Sequence, residues 1–78
     1  MNGETSLCDI HPGESAVVLS LKATGGLRRR LLDIGLIKDT RVTCVGSSPF
    51  GDPRAYLIRG AVIALRSEDC ALILVKNA

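Results

Sequence analysis

RVTCVGSSPFGDPRAYLIRG, residues 41–60, decides the fold. Both ends alternate with the period of an extended chain. Val42 and Cys44 fall on one face, Thr43 and Val45 on the other. Further on, Ala55 and Leu57 oppose Tyr56 and Ile58. Between them, Pro49 and Pro53 cannot donate to a strand ladder, so pairing must stop there. Gly51 supplies backbone freedom and Asp52 can bond local main-chain amides, so Gly51, Asp52 and Pro53 read as turn residues. The segment predicts a hairpin of two central strands with a stiff loop. Gly60 then permits a sharp reversal into a further strand over 62–66. Phe50 sits at the loop tip with two roles open to it. It can fold back to cover one end of the fold, or present its ring to a partner.

Working outward, 16–21 is apolar and β-branched, and 71–75 closes the chain in the same manner. Ser67, Glu68 and Asp69 predict a capped turn. The exception to this strand pattern is 25–34. Leu27, Leu31 and Ile34 recur at helical spacing behind a Thr24 cap, with Leu32 widening the face. Gly35 is placed to end that helix in a left-handed conformation. Residues 37–40 form a tight connection in which Asp39 tolerates unusual backbone angles. Near the start, Ser6 to Ile10 predicts one helical turn and Pro12-Gly13 a reversal, with Gly13 as its turn residue. The expectation is a mainly β fold: a small barrel of about five short strands, with one short α-helix after the first strand. Residues 1–5 are polar and read as a flexible N-terminus; 6–78 form a single domain.

Composition narrows the function. The 78 residues carry 10 basic and 8 acidic side chains, a net charge of +2, with one Phe, one Tyr and no Trp. Single-strand nucleic-acid readers stack bases on aromatics, so no nucleic-acid partner is expected. A small barrel contacting RNA phosphates through Arg28–Arg30 is the alternative reading. Cys8, Cys44 and Cys70 are odd in number and far apart, which argues against a disulfide scaffold and for reduced thiols in a cytoplasmic setting. Cys44 and Cys70 fall at core positions. The sequence has no run of 18 or more apolar residues, so no membrane-spanning segment is expected. The opening MNGETSLCDI lacks the pattern of a secretory leader.

Neither a nucleophile-elbow motif nor a Walker A loop is present, and the chain is read as non-catalytic. Cys8 and His11 have a Cys-x-x-His spacing, with Glu14 nearby. A closed structural zinc site takes four ligands and this chain has one His, so these three are candidates only for weak transition-metal binding. No tightly bound cofactor is expected. The Arg28-Arg29-Arg30 run lies in the first half of the helix and Asp33 in its last turn. Both oppose the macrodipole, at a cost of about 0.3–1 kcal/mol each if exposed. The charges therefore serve either as a solvated face or as a contact for an acidic partner or headgroups. Leu36 and Ile37 cannot both point inward. Leu36 with Arg28 and Arg29 is the expected docking patch, with Leu27, Ile37 and Phe50 as further partner-facing residues.

The run from 28 to 75 resembles the FeoA family of ferrous iron transport proteins. The resemblance is carried by RRLLDIGL at 29–36, by the PFGDP loop at 49–53 and by RGAVIALR at 59–66, with HPGE at 11–14 upstream. It covers nearly the whole chain. One departure is Lys38-Asp39, where that family usually has a glycine in the turn after the helix. The resemblance implies an SH3-like barrel with the helix inserted after the first strand. It also implies a small cytoplasmic accessory protein, peripheral to the inner face of the membrane when docked on the FeoB transporter and modulating Fe(II) uptake. Weak Fe2+ binding and weak self-association fit the same picture.

Overall fold

The computed structural model describes residues 4–78. Its elements are β1 (Glu4–Ser6), a 3₁₀ turn (Leu7–Asp9), β2 (Ser15–Leu21), α1 (Gly25–Asp33), β3 (Arg41–Ser47), β4 (Arg54–Ile58), β5 (Ala61–Leu65), α2 (Ser67–Cys70) and β6 (Ile73–Asn77). All strand pairs are antiparallel, in the order β1-β6-β2-β3-β4-β5. The sheet has six strands rather than five. The added one is β1, where Thr5 pairs with Val75 and Ser6 with Leu74. Its polar side chains hid it, because an edge strand held by backbone bonds needs little apolar patterning. The flexible N-terminus expected over 1–5 is thus corrected for residues 4 and 5; residues 1–3 lie outside the described part. With β1 in place, α1 follows the second strand.

The 41–60 segment folds as read. Val42, Cys44, Tyr56 and Ile58 are buried, and the alternation survives a bulge at Val45 that tightens the sheet's curl. Arg59 (φ 51°) and Gly60 (φ 85°) join β4 to β5 in a two-residue turn, both in the left-handed region that such turns demand. The sheet curls until β4 meets the 3₁₀ turn. There Arg54 Nη1 donates to the carbonyls of Cys8 (2.9 Å) and Ile10 (2.6 Å). Tyr56 Oη donates to Leu7 O at 3.3 Å and accepts from Cys70 Sγ at 3.6 Å. These long-range bonds close the barrel and leave no buried side-chain N or O unpaired among the described residues.

Helix α1 ends in a complete Schellman motif. Gly35 N–H donates to Leu32 O (3.0 Å) and Leu36 N–H to Leu31 O (3.1 Å), with Gly35 at φ 104°. This motif brings an apolar residue just past the glycine against one in the last turn, and Leu31 and Leu36 are both fully buried. The Arg59 stem lies directly over Gly35, in the space a Cβ would need. Asp39 (φ 73°) turns the chain into β3 as expected.

Candidate docking surface

A groove of about 250 Å³ opens between β2, α1 and the turn that follows the helix. Residues 18–21 form one wall, Arg28 and Leu32 the other, and 36–38 close the end. Its exposed apolar side chains are Leu32 (37%) and Ile37 (45%). Arg28 and Lys38 supply positive charge, and no acidic residue lines it.

The structure rearranges the expected patch. Leu36 is core, not surface: the Schellman turn drives it inward, so its role as an exposed contact is corrected. It contributes the groove's floor, and Ile37 is the member of the pair that meets solvent. The glycine-then-leucine step after the helix was the signal that assigns them. Leu27 is half-buried and packs against the core. Arg28 lies on the groove, its Nη1 3.4 Å from the Leu21 carbonyl oxygen. Arg29 is exposed and forms no ion pair among the described residues. Arg30 falls in the last turn of α1, where a cation suits the macrodipole, so the expectation that the whole arginine run opposes it is corrected for this residue, which also pairs with Asp69 of α2 at 3.4 Å.

Phe50 is not in the groove. It is 95% exposed at the tip of the β3–β4 loop, so the covering role is overturned and its ring faces solvent. The groove adjoins the start of β3, and the seven-residue strand puts Phe50 about 20 Å away at roughly 3.3 Å per residue. The loop beneath it is well tied. Ser48 Oγ donates to Asp52 O (2.8 Å), Gly51 N–H to Ser48 O (2.8 Å) and Ser67 N–H to Asp52 Oδ1 (2.9 Å). Gly51 (φ 83°) and Gly13 (φ 94°) both occupy the left-handed region expected of turn glycines. Asp52 thereby caps α2 from fifteen residues upstream, a role expected of Ser67.

The metal candidates do not converge. Glu14 Oε1 accepts from the His11 backbone N–H at 2.7 Å, and Cys8 Sγ lies 2.8 Å from Ser6 Oγ. Among the described residues no three His, Cys, Asp or Glu side chains gather as a metal-holding group. Asp9 accepts from Thr5 Oγ1 (2.6 Å) and from the Ser6 N–H and Oγ, and these bonds, the Thr5 hydroxyl first, hold its carboxyl below the usual value. Cys70 is buried, and desolvation pushes its thiol up to about 11. No helix of the described residues is long and apolar enough to cross a membrane.

Comparison with known proteins gives a consistent result. The family model of the FeoA domain matches residues 5–77. A fusion of Fe(2+) transport protein A with the Fe(2+) transporter FeoB from Porphyromonas gingivalis is 34% identical over 70 residues. That match takes in 90% of this chain and 8% of the fusion protein's length. The solution structure of a FeoA protein from Chlorobium tepidum superposes with a TM-score of 0.87 at 29% identity, over 94% of this chain and 70% of that one. A zinc complex of the Stenotrophomonas maltophilia FeoA, described as an SH3 domain protein, gives 0.82 at 28% identity, over 92% and 89%. The barrel is SH3-like.

Proposed function

Because this chain belongs to the FeoA family, we propose that it is a non-catalytic cytoplasmic accessory of ferrous iron transport that docks on FeoB and modulates Fe(II) passage. The observation that carries the reading is the Porphyromonas gingivalis fusion, in which a similar domain and a FeoB transporter share one polypeptide. Covalent linkage raises effective concentration, and is useful where the two parts act together. The geometry supplies a surface of the right kind. The groove has an apolar base and a cationic rim, and Arg29 extends the charge beside it. The lone Phe50 at the far end offers a second contact. Exposed aromatic and arginine side chains are the types that dominate interface energetics.

The test is co-purification of tagged chain with FeoB from detergent-solubilised membranes of its host, grown with scarce ferrous iron. Retention of FeoB is expected. Ile37→Asp and Arg28→Glu should each reduce it several-fold while the circular dichroism spectrum stays unchanged. Recovery of RNA without the transporter would move the assignment to nucleic-acid binding. Leu36→Asp is unsuitable as a surface probe, because it places a charge in the core.

A further inference from the structure

Strand β2 loses one neighbour halfway along. Its pairing with β3 ends at Val17–Arg41. One more pair of bonds follows: Val18 N–H donates to Thr40 O (2.9 Å) and Asp39 N–H to Val18 O (2.8 Å). Beyond Val18 the strand is paired with β6 alone, through Ser20–Leu74 and Leu21–Ile73. Lys22 N–H donates to Leu72 O at 2.7 Å, towards the β6 side. Across the planar trans peptide the Leu21 carbonyl must then point the opposite way, into the groove. In an extended residue the N–H points the same way as its own carbonyl. Among the described residues the carbonyl meets only Arg28 Nη1, at 3.4 Å, and the Leu21 N–H has no strand partner. The wall of the groove is therefore a short open edge on an interior strand of the sheet.

We propose that this groove takes an extended, acidic and apolar protein segment by strand addition against Ser20 and Leu21. A carbonyl of the segment accepts from the Leu21 N–H. An apolar side chain covers Leu32 and Ile37, and a carboxylate meets Arg28 and Lys38. Backbone bonds of this kind give affinity, and the flanking pockets choose the side chains. A helical segment satisfies its own backbone and would leave the Leu21 N–H unpaired. A basic segment would face two cations with no acidic residue on the lining. The inference deepens the docking reading above and rests on it for the partner's identity, but not for the chemistry of the groove.

The experiment is an NMR titration of the 15N-labelled chain with two blocked peptides, Val-Glu-Leu-Asp-Val and Val-Lys-Leu-Lys-Val. The acidic peptide should shift the amides of residues 19–21 and 37–38. It should also slow hydrogen exchange at the Leu21 amide about tenfold, since an amide bonded in a ladder exchanges only on opening. Arg28→Glu should abolish both effects. Silence from the acidic peptide, an equal response to the basic one, or shifts without protection of Leu21 would each overturn the proposal. So would phosphatidylglycerol vesicles perturbing these amides where the peptide does not. FeoB retention with no peptide effect would leave the docking reading standing and this one overturned; a peptide effect without FeoB retention would do the reverse.

Discussion

Leu36, Ile37 and Phe50 are three apolar residues outside the regular elements, and the chain treats each differently. Leu36 is fully buried, Ile37 is 45% exposed and Phe50 is 95% exposed. Their energetic roles separate accordingly. Leu36→Ala removes buried atoms beside Leu31 and leaves a cavity, and a loss of about 2–5 kcal/mol is expected. Phe50→Ala removes a ring with few neighbours, and should change stability by less than about 0.5 kcal/mol. Urea unfolding of the two variants checks the pair, and a stability loss in the Phe50 variant would mean that its ring is packed in solution. The same variant, being stable, is the clean probe of whether Phe50 contributes to FeoB retention.

At the scale of elements, two of the three arginines of α1 have tertiary partners. Arg30 reaches Asp69 of α2, and Arg28 reaches the open carbonyl of Leu21. The four-residue α2 depends on a neighbour too. Its N-cap position is held by Arg66, whose side chain offers no acceptor, and Asp52 Oδ1 takes the Ser67 N–H instead. Asp52→Ala should therefore lower stability by about 0.5–2 kcal/mol, the usual cost of losing a helix cap. Amide exchange should accelerate at Ser67 more than at β6. An unchanged Ser67 amide would refute the capping role.

For the molecule as a whole, two groups that bond across the barrel, Tyr56 and Cys70, make its stability depend on alkaline pH. Burial raises the Cys70 thiol from its usual 9.0 to about 11, and desolvation likewise raises the Tyr56 phenol above its usual 10.0. The folded state holds both protons more tightly than the unfolded chain. The Cys70 contribution is full below pH 9 and is lost as pH rises through 11, whereas that of Tyr56 begins to fall only above its usual 10.0. Urea midpoints at pH 7, 9, 10 and 11 should be level at first and then decline. A flat profile to pH 11 would show that neither group is buried as described. At the acid end the sign reverses. Asp9 is stabilised as a carboxylate, so its contribution is present above its usual value of 3.8 and fades as pH falls below it.

The sequence by itself determined the strands around 41–60, helix α1, most of the left-handed turn positions and the family, because these rest on local periodicity and on turn chemistry at fixed spacing; the one helix expected became two, since 67–70 closes a short α-helical turn where the sequence predicts a capped turn. Even the burial of Leu36 was implicit there, in the glycine that follows α1. Three things waited for the tertiary structure. Strand β1 is held by backbone bonds to a partner seventy residues away, which no local pattern encodes. Arg30, Arg54 and Asp52 find partners far along the chain, so their purposes were illegible as isolated charges. The groove exists only because β2 loses its β3 neighbour beyond Val18 while α1 packs beside it. A concave surface is a relation between elements, and a sequence lists its residues without their neighbours.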